Sequence, residues 1–254
     1  MSIKISAVII TFNEEEHLDK CLSSLLDISD EIIVVDSYST DSTKDICKRY
    51  NVILIEQEFL GYKEQKNFAL TQAKYNYILS LDGDEALSES LKNSILEVKK
   101  KWVKDGYYCN RINNYCGQWI KNSDWYPDRK LRLFKKDSGQ WGGLNPHDRF
   151  ELYHGKTSGQ LKGDLLHWIY SSYQEHNQKN ERFSSIAAEA YFRAGIKSSI
   201  IKILWRPSWA FFKAYFLRLG FLDGFNGWII CLKTCNLTYL KYLKLRELWK
   251  ESKT

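Results

Sequence analysis

Two carboxylates one residue apart, Asp82 and Asp84, close the apolar run Tyr77-Ile78-Leu79-Ser80-Leu81. Like charges this close repel unless a cation joins them. A hard dication with oxygen ligands, Mg2+ or Mn2+, suits the pair, and such an ion completes its shell with water and substrate phosphate. The stretch therefore points to a metal-held diphosphate. Asp82-Gly83 is also hairpin chemistry, but a helical pattern capped by Ser88 follows, which makes strand, loop, helix. A calcium loop is excluded, because Ala86 and Leu87 stand where it needs an oxygen ligand and a glycine.

The elements that must position these acids precede them. Residues 5–10 read as a buried strand ending at Thr11-Phe12-Asn13-Glu14, and residues 31–36 as a second strand ending at Asp36. Residues 52–55 form a third and residues 77–82 a fourth. Helical patterns at residues 17–26, up to about 50, and 63–73 separate them, with Ser39-Thr40-Asp41-Ser42 as a capping cluster. Strand alternating with helix predicts an α/β fold with a parallel sheet. Right-handed crossovers bring the strand ends to one edge, where such folds bind ligands. No dinucleotide fingerprint or P-loop occurs, so phosphate binding falls to metal and side chains such as Lys66.

From 102 to 166 the pattern changes to short strands at 107–112, 130–134 and 150–153, a mixed extension dense in Tyr and Trp. Aromatic faces suit sugar rings, although aromatic core is the simpler account. A glycine-rich loop runs from Trp141 through Asn145, His147 and Asp148 to Arg149. His167 follows, then a helix over 172–195.

The chain is 44% hydrophobic and 27% charged, ordinary globular composition. Its six cysteines form no Cys-x-x-Cys pair and no zinc spacing, and no signal peptide is visible. Reduced thiols in the cytoplasm are expected. The net charge of +6 is uneven, for residues 197–250 hold ten Lys and Arg against Asp223 and Glu247. Nine aromatics lie between Trp205 and Trp228, with Lys202, Arg206, Lys213 and Arg218 interleaved. This composition suits helices lying in a membrane interface or packing on the catalytic domain. No recognised nucleic-acid motif is present. Two parts are expected, 1–196 and 197–254.

Three blocks in order, Ala7-Val8-Ile9-Ile10-Thr11-Phe12-Asn13-Glu14, Val34-Val35-Asp36-Ser37-Tyr38-Ser39-Thr40-Asp41 and Leu81-Asp82-Gly83-Asp84-Glu85, resemble the signatures of family-2 glycosyltransferases with the GT-A fold. The likeness is close from 4 to about 90 and reaches about 170. It is nearest to the bacterial lipopolysaccharide-core β-glucosyltransferase-like group. The resemblance implies a GT-A fold with a mostly parallel sheet and a helical, membrane-associating C-terminal appendage. It implies that Thr11, Phe12, Asn13, Glu14, Asp36, Lys66, Asp82, Gly83 and Arg132 contact the nucleotide sugar. Asp36 would meet the base, usually uracil; Asp82, Asp84 and His167 would meet Mg2+ or Mn2+; Asp148 would be the general base. Ser37 and Tyr38 depart from the usual Asp and Gly of that turn. The Gln-x-x-Arg-Trp block of processive synthases is absent, which implies transfer of a single sugar.

The expected activity is inverting transfer from a nucleotide-diphosphate sugar, UDP-linked by preference, to a lipid-linked or envelope glycan at the inner face of the cytoplasmic membrane. Two alternatives stand beside it. A sugar nucleotidyltransferase shares the sheet and metal logic but normally carries a glycine-rich N-terminal loop. A non-catalytic glycan-binding or scaffold protein would not need Asp84.

Overall fold

The computed structural model describes residues 3–143 and 148–252. The chain forms two compact units, the first built from residues 1–112 and 128–168, the second from 113–127 and 169–254. In chain order the first unit begins with β1 (Ile5–Thr11), α1 (Leu18–Ser23), β2 (Glu31–Asp36), α2 (Thr43–Arg49), β3 (Ile53–Glu56), α3 (Tyr62–Gln72) and β4 (Tyr77–Asp82). Every residue of β1 is buried, as expected of a strand covered on both faces. Its side chains alternate: Ile5, Ala7 and Ile9 join the cluster with Leu18, Leu22 and Ile95, whereas Val8 and Ile10 join the one with Ala69 and Phe150. β2 and β4 flank β1 in parallel, with Thr11 opposite Asp36 and Ile10 opposite Asp82. β3 adds parallel to β2. The acidic strand ends thus converge on one edge.

The remaining strands are β5 (Glu85–Leu87), β6 (Gly106–Tyr115), β7 (Gln118–Ile120), β8 (Asp128–Lys135), β9 (Gly139–Gly142), β10 (Arg149–Leu152) and β11 (Ser158–Tyr170), with α4 (Glu89–Lys100) after β5. The sheet order is β3-β2-β1-β4-β8-β6-β11-β5, with β7 along β6 and a separate β9–β10 hairpin. Only the β3–β4 half is parallel. β8 runs antiparallel to β4 and β6, and β11 antiparallel to β5. The mixed extension is therefore about half of the sheet: it holds two of the three expected strands, β6 and β8, and adds β5, β7 and β11, whereas the third, β10, pairs with β9 in the separate hairpin. Ser88 caps α4, its hydroxyl accepting from the Leu91 amide. The unexpected strands are β5, β7, β9 and above all the 13-residue β11.

The second unit holds α5 (Tyr173–Arg193), α6 (Ile200–Phe212), a π-helical turn at Lys213–Leu217, a 3-10 turn at Gly220–Asp223 and α7 (Gly224–Glu251). The boundary expected at 196/197 falls inside this unit, because Ala188 of α5 shares a core with Ile203 of α6 and Tyr242 and Leu245 of α7. Residues 113–127 belong here because the Asp223 carboxylate accepts from the Lys121 and Asn122 amides at 3.0 and 2.9 Å. Gly227 has no room for a side chain; a Cβ there would lie 2.0 Å from the Gly220 carbonyl. Among the described residues no helix is long and apolar enough to cross a membrane.

Candidate active site

The parallel half delivers Asp82, and α3 delivers Lys66 beneath it. Lys66 is buried, not solvated as helix lysines usually are. Its Nζ lies 2.9 Å from Asp82 Oδ1 and 2.8 Å from Asp148 Oδ2, over the Trp141 ring. Asp148 immediately precedes Arg149, the first residue of β10, and meets the β4 end through that one cation. Arg132 of β8 reaches the same place, with Nη2 3.0 Å from Asp82 Oδ2 and 2.7 Å from Glu85 Oε1. Burial opposes ionisation of Asp82, but Lys66 and Arg132 outweigh it and hold its carboxyl far below the usual range. Burial likewise opposes the charge on Arg132, and Glu85 and Asp82 more than restore it.

Glu85 was not singled out by sequence, yet it is wholly buried and central. Its Oε2 accepts from the Asp82 amide at 3.1 Å, and its Oε1 also meets Arg111 Nη1 at 3.1 Å. Arg111 continues to Asp128 at 2.8 Å, which Lys130 shares at 3.1 Å. The signal available was adjacency to the paired acids; the partners lie on β6 and β8, out of reach of local pattern.

Asp84 sits beyond this chain of charges. β11 pairs with β5 so that His167 stands opposite Glu85, and the Trp168 amide donates to the Asp84 carbonyl at 3.1 Å. His167 Nε2 is then 3.3 Å from Asp84 Oδ2. Burial pushes the Asp84 carboxyl up, but His167 outweighs it and the net shift is downward. Among the described residues no group of three or more His, Cys, Asp or Glu is arranged to hold a metal. A Mg2+ or Mn2+ ion bound through one or two carboxylates and completed by substrate phosphates does not need such a cage. Asp84 supplies one carboxylate of that kind, held by His167, while Asp82 is engaged by two cations.

The other side of the edge is a folded turn. Asn13, at φ 53°, donates its amide to Ser39 Oγ and accepts from the Thr40 amide. The Glu14 amide donates to Thr43 Oγ1. Asp36 has no exposed surface, and its two oxygens accept from the Ser39 hydroxyl at 2.5 Å and amide at 2.7 Å. The carboxylate expected to meet a base organises the turn. Phe12 and Tyr38 are exposed aromatic rings here, each 56% accessible. Tyr38, at φ 61°, was noted in the sequence only as a departure. Gly83 packs on Thr11, for a Cβ there would lie 2.8 Å from Thr11 Oγ1, a buried hydroxyl with no hydrogen-bond partner among the described residues. Asn145 and His147 lie outside the described residues.

A mixed sheet with parallel strands ending in Asp36 and Asp82, with Asp84 in the turn that follows and an antiparallel extension carrying Arg132 and His167, is the GT-A class of α/β fold. Residues 6–155 match the family model for Glycosyl transferase family 2, and the chain belongs to that family. It is 31% identical to an uncharacterized glycosyltransferase of Rickettsia bellii, over 96% of this chain and 87% of that protein. It is 26% identical to the lipopolysaccharide core biosynthesis glycosyltransferase LpsC of Rhizobium meliloti, over 96% and 93%. Among solved structures, mannosyltransferase PcManGT of Pyrobaculum calidifontis, in complex with GDP-Man and Mn2+, superimposes with a TM-score of 0.59 at 15% identity, covering 99% of this chain and 88% of that one. Family membership disfavours the nucleotidyltransferase alternative.

Proposed function

We propose that this protein transfers a single sugar, with inversion, from a nucleotide-diphosphate sugar to a hydroxyl of a lipid-linked or envelope glycan. The observation that carries the reading is Lys66 joining Asp82, at the donor edge, to Asp148, at the acceptor side. Asp148 is the proton acceptor for the attacking hydroxyl, a role typically contributing about 10²–10⁴-fold. Lys66 holds that carboxylate in place and, with Arg132, sets positive charge beside the leaving diphosphate. Asp84 and His167, with Asp82 at their side, would hold Mg2+ or Mn2+, which when bound neutralises charge developing on the diphosphate. Thr11, Asn13, Glu14, Asp36 and Gly83 shape the nucleotide pocket, and the exposed rings of Phe12 and Tyr38 flank the base, UDP being the favoured carrier. An envelope glycan acceptor is supported by the similarity to LpsC.

The second unit supports a membrane location on the inner face of the cytoplasmic membrane. Ile201, Leu204, Trp205, Trp209, Phe212 and Phe216 are exposed at helical spacing along α6 and the turn after it. Trp205 stacks on Trp209 and Trp209 on Phe212, so the face is continuous. Contiguous exposed apolar surface of this kind marks a docking site, and flanking Lys202 and Arg206 suit anionic headgroups.

Thermal denaturation with UDP and UDP-sugars, with and without Mn2+, tests the donor reading. Ligand at about 100 times its Kd adds roughly 2.7 kcal/mol to stability, so a Tm rise that needs both nucleotide and metal is expected. No rise with any nucleotide sugar would sink the proposal.

A further inference from the structure

We infer that the acceptor carries an anionic group, a phosphate or carboxylate, beside the hydroxyl that is glycosylated. This inference rests on the glycosyltransferase reading above and concerns a cavity of ≈ 410 Å³ next to Asp82. That volume is within the range of small-molecule sites, about 300–1,000 Å³. Among the described residues its wall contains six cations, Lys66, Arg111, Arg129, Lys130, Arg132 and Arg149, but only two carboxylates, Asp82 and Asp148.

Internal partners leave positive charge over. Asp82 and Asp148 are both taken by Lys66, and Asp82 also by Arg132. Arg149 pairs with Glu151. Arg111 and Lys130 share Asp128, and the buried Glu85 pairs with both Arg111 and Arg132, so the surplus rests on Arg129. Arg129 has an uncharged partner, its Nε donating to Gln160 Oε1 at 3.2 Å, and its guanidinium lies over the Tyr108 ring. Two N–H groups of wall residues, Arg132 Nε and Trp141 Nε1, are buried with no hydrogen-bond partner among the described residues, and each residue is only 4% exposed. Buried donors are normally satisfied. Together these features ask for an anion with several acceptor oxygens. Burial and the neighbouring Arg111 charge both depress the Lys130 ammonium, consistent with unneutralised positive potential at the wall.

Position decides which substrate brings the anion. Thr11, Asn13, Glu14 and Asp36, on the nucleotide side, take no part in this wall; Lys66, Asp82 and Arg132 serve the leaving diphosphate as well, and Arg111, Arg129, Lys130 and Asp148, given no donor contact, make up most of its other charged groups. A general base must touch the hydroxyl it deprotonates, so the cavity around Asp148 receives the acceptor. The anion could be borne on a sugar or be the diphosphate of a lipid carrier, which share this chemistry.

Calorimetry on the full chain, saturated with UDP and Mn2+, separates the two. The probes are glucose 6-phosphate and glucuronate for the sugar-borne group, farnesyl diphosphate for the lipid-borne one, and methyl glucoside as the neutral control. At least one anionic probe should bind alongside UDP, and methyl glucoside should bind more weakly by about tenfold or more. Whichever arm binds names the source. The paired substitution Arg129→Gln, Lys130→Gln should weaken that probe about tenfold or more while leaving UDP affinity and unliganded Tm unchanged, since Arg129 is exposed and Lys130 half-buried. Displacement of every anionic probe by UDP, equal binding of methyl glucoside, or indifference to the paired substitution would overturn the inference and leave the transferase intact. Failure of UDP itself to bind would instead remove the reading on which it rests.

Discussion

The Asp82 cavity and the α6 face break the ordinary rule of burial in opposite ways. Around Asp82, groups that belong in water are buried: Lys66 and Arg132 at 4% exposure and Glu85 at none. Along α6, groups that belong in a core are exposed, Ile201 at 76% and Trp205 at 63%. Buried polar groups and exposed apolar patches are the informative deviations in a folded chain. The first is satisfied in large part from within: Lys66, Arg132 and Glu85 each find a counter-charge, while Arg129 on the cavity wall meets only the uncharged Gln160. The second leaves its apolar side chains exposed among the described residues. The two regions can be attacked separately, the first at the proposed chemistry and the second at the proposed membrane face.

The largest effect is expected at the proposed base. Asp148→Asn keeps the size of the side chain and removes its ability to take a proton. Transfer, followed by nucleotide release, should fall about 10²–10⁴-fold, with UDP affinity unchanged. A variant within a few-fold of wild type would return Asp148 to a purely structural partner of Lys66. Glu85→Leu tests whether the buried charges are truly interdependent. It strips one partner from both Arg132 and Arg111, and breaking a buried pair this way costs about 3–5 kcal/mol. Urea unfolding should register that loss. Glu97→Gln, which removes the Lys100 pair with side chains 71% and 70% exposed, should cost under about 1 kcal/mol. Equal costs would erase the contrast between paired burial and surface pairing.

Most of the parallel half was legible in the sequence because strands covered on both faces are largely apolar, as Ile5–Thr11 is apart from Ser6 and Thr11. The same continuity made Asp36, Asp82 and Asp84 visible as acids at strand ends. β11 was not legible. Leu161, Leu165 and His167 keep the two-residue period of a half-buried strand, but Gly159 and Gly163 interrupt it. Gly163 is required by tertiary structure, since its φ is 88° and a Cβ there would lie 2.4 Å from the Leu91 amide nitrogen. Without β11 the meeting of His167 with Asp84 could come only from family resemblance. The burial of Lys66 was also hidden, because its two counter-charges lie 16 and 82 residues away in the chain. Asp36 shows the reverse case: its strand-end position was evident, while its capture by Ser39 depends on the backbone of the turn.

A buried polar group outside the cavity sharpens the comparison further. His176, 4% exposed, stacks on Tyr170 at 4.2 Å and meets the Tyr115 hydroxyl at 3.0 Å. Burial, helped by Lys233 and Lys179, pushes its pKa down to about 4. The unfolded chain therefore binds this proton more readily than the folded one. Stability is complete above the ordinary value of about 6.5 and is lost as pH falls toward 4, by about 3 kcal/mol. Denaturation measured across this window should show that loss, and His176→Phe should flatten it while leaving sugar transfer at neutral pH unaltered. A change in transfer rate would mean that burial of this imidazole serves the reaction as well as the core.

The smallest effect tests the exposed face. Lys202 and Arg206 border the Ile201–Trp209 stripe, and a basic residue at an anionic surface contributes about 1 kcal/mol. Lys202→Gln and Arg206→Gln should each weaken partition into phosphatidylglycerol vesicles roughly fivefold. Vesicles of neutral lipid should not tell the variants from wild type, and salt should narrow the gap for anionic ones, because exposed charges are screened within about 10 Å at 0.1 M. Replacing Trp205 and Trp209 with Ser should weaken binding to both kinds of vesicle, since the apolar contribution does not depend on headgroup charge. If wild type floats with neither vesicle, the stripe is covered by protein, and the contrast between a region closed upon itself and one completed from outside survives with a different occupant.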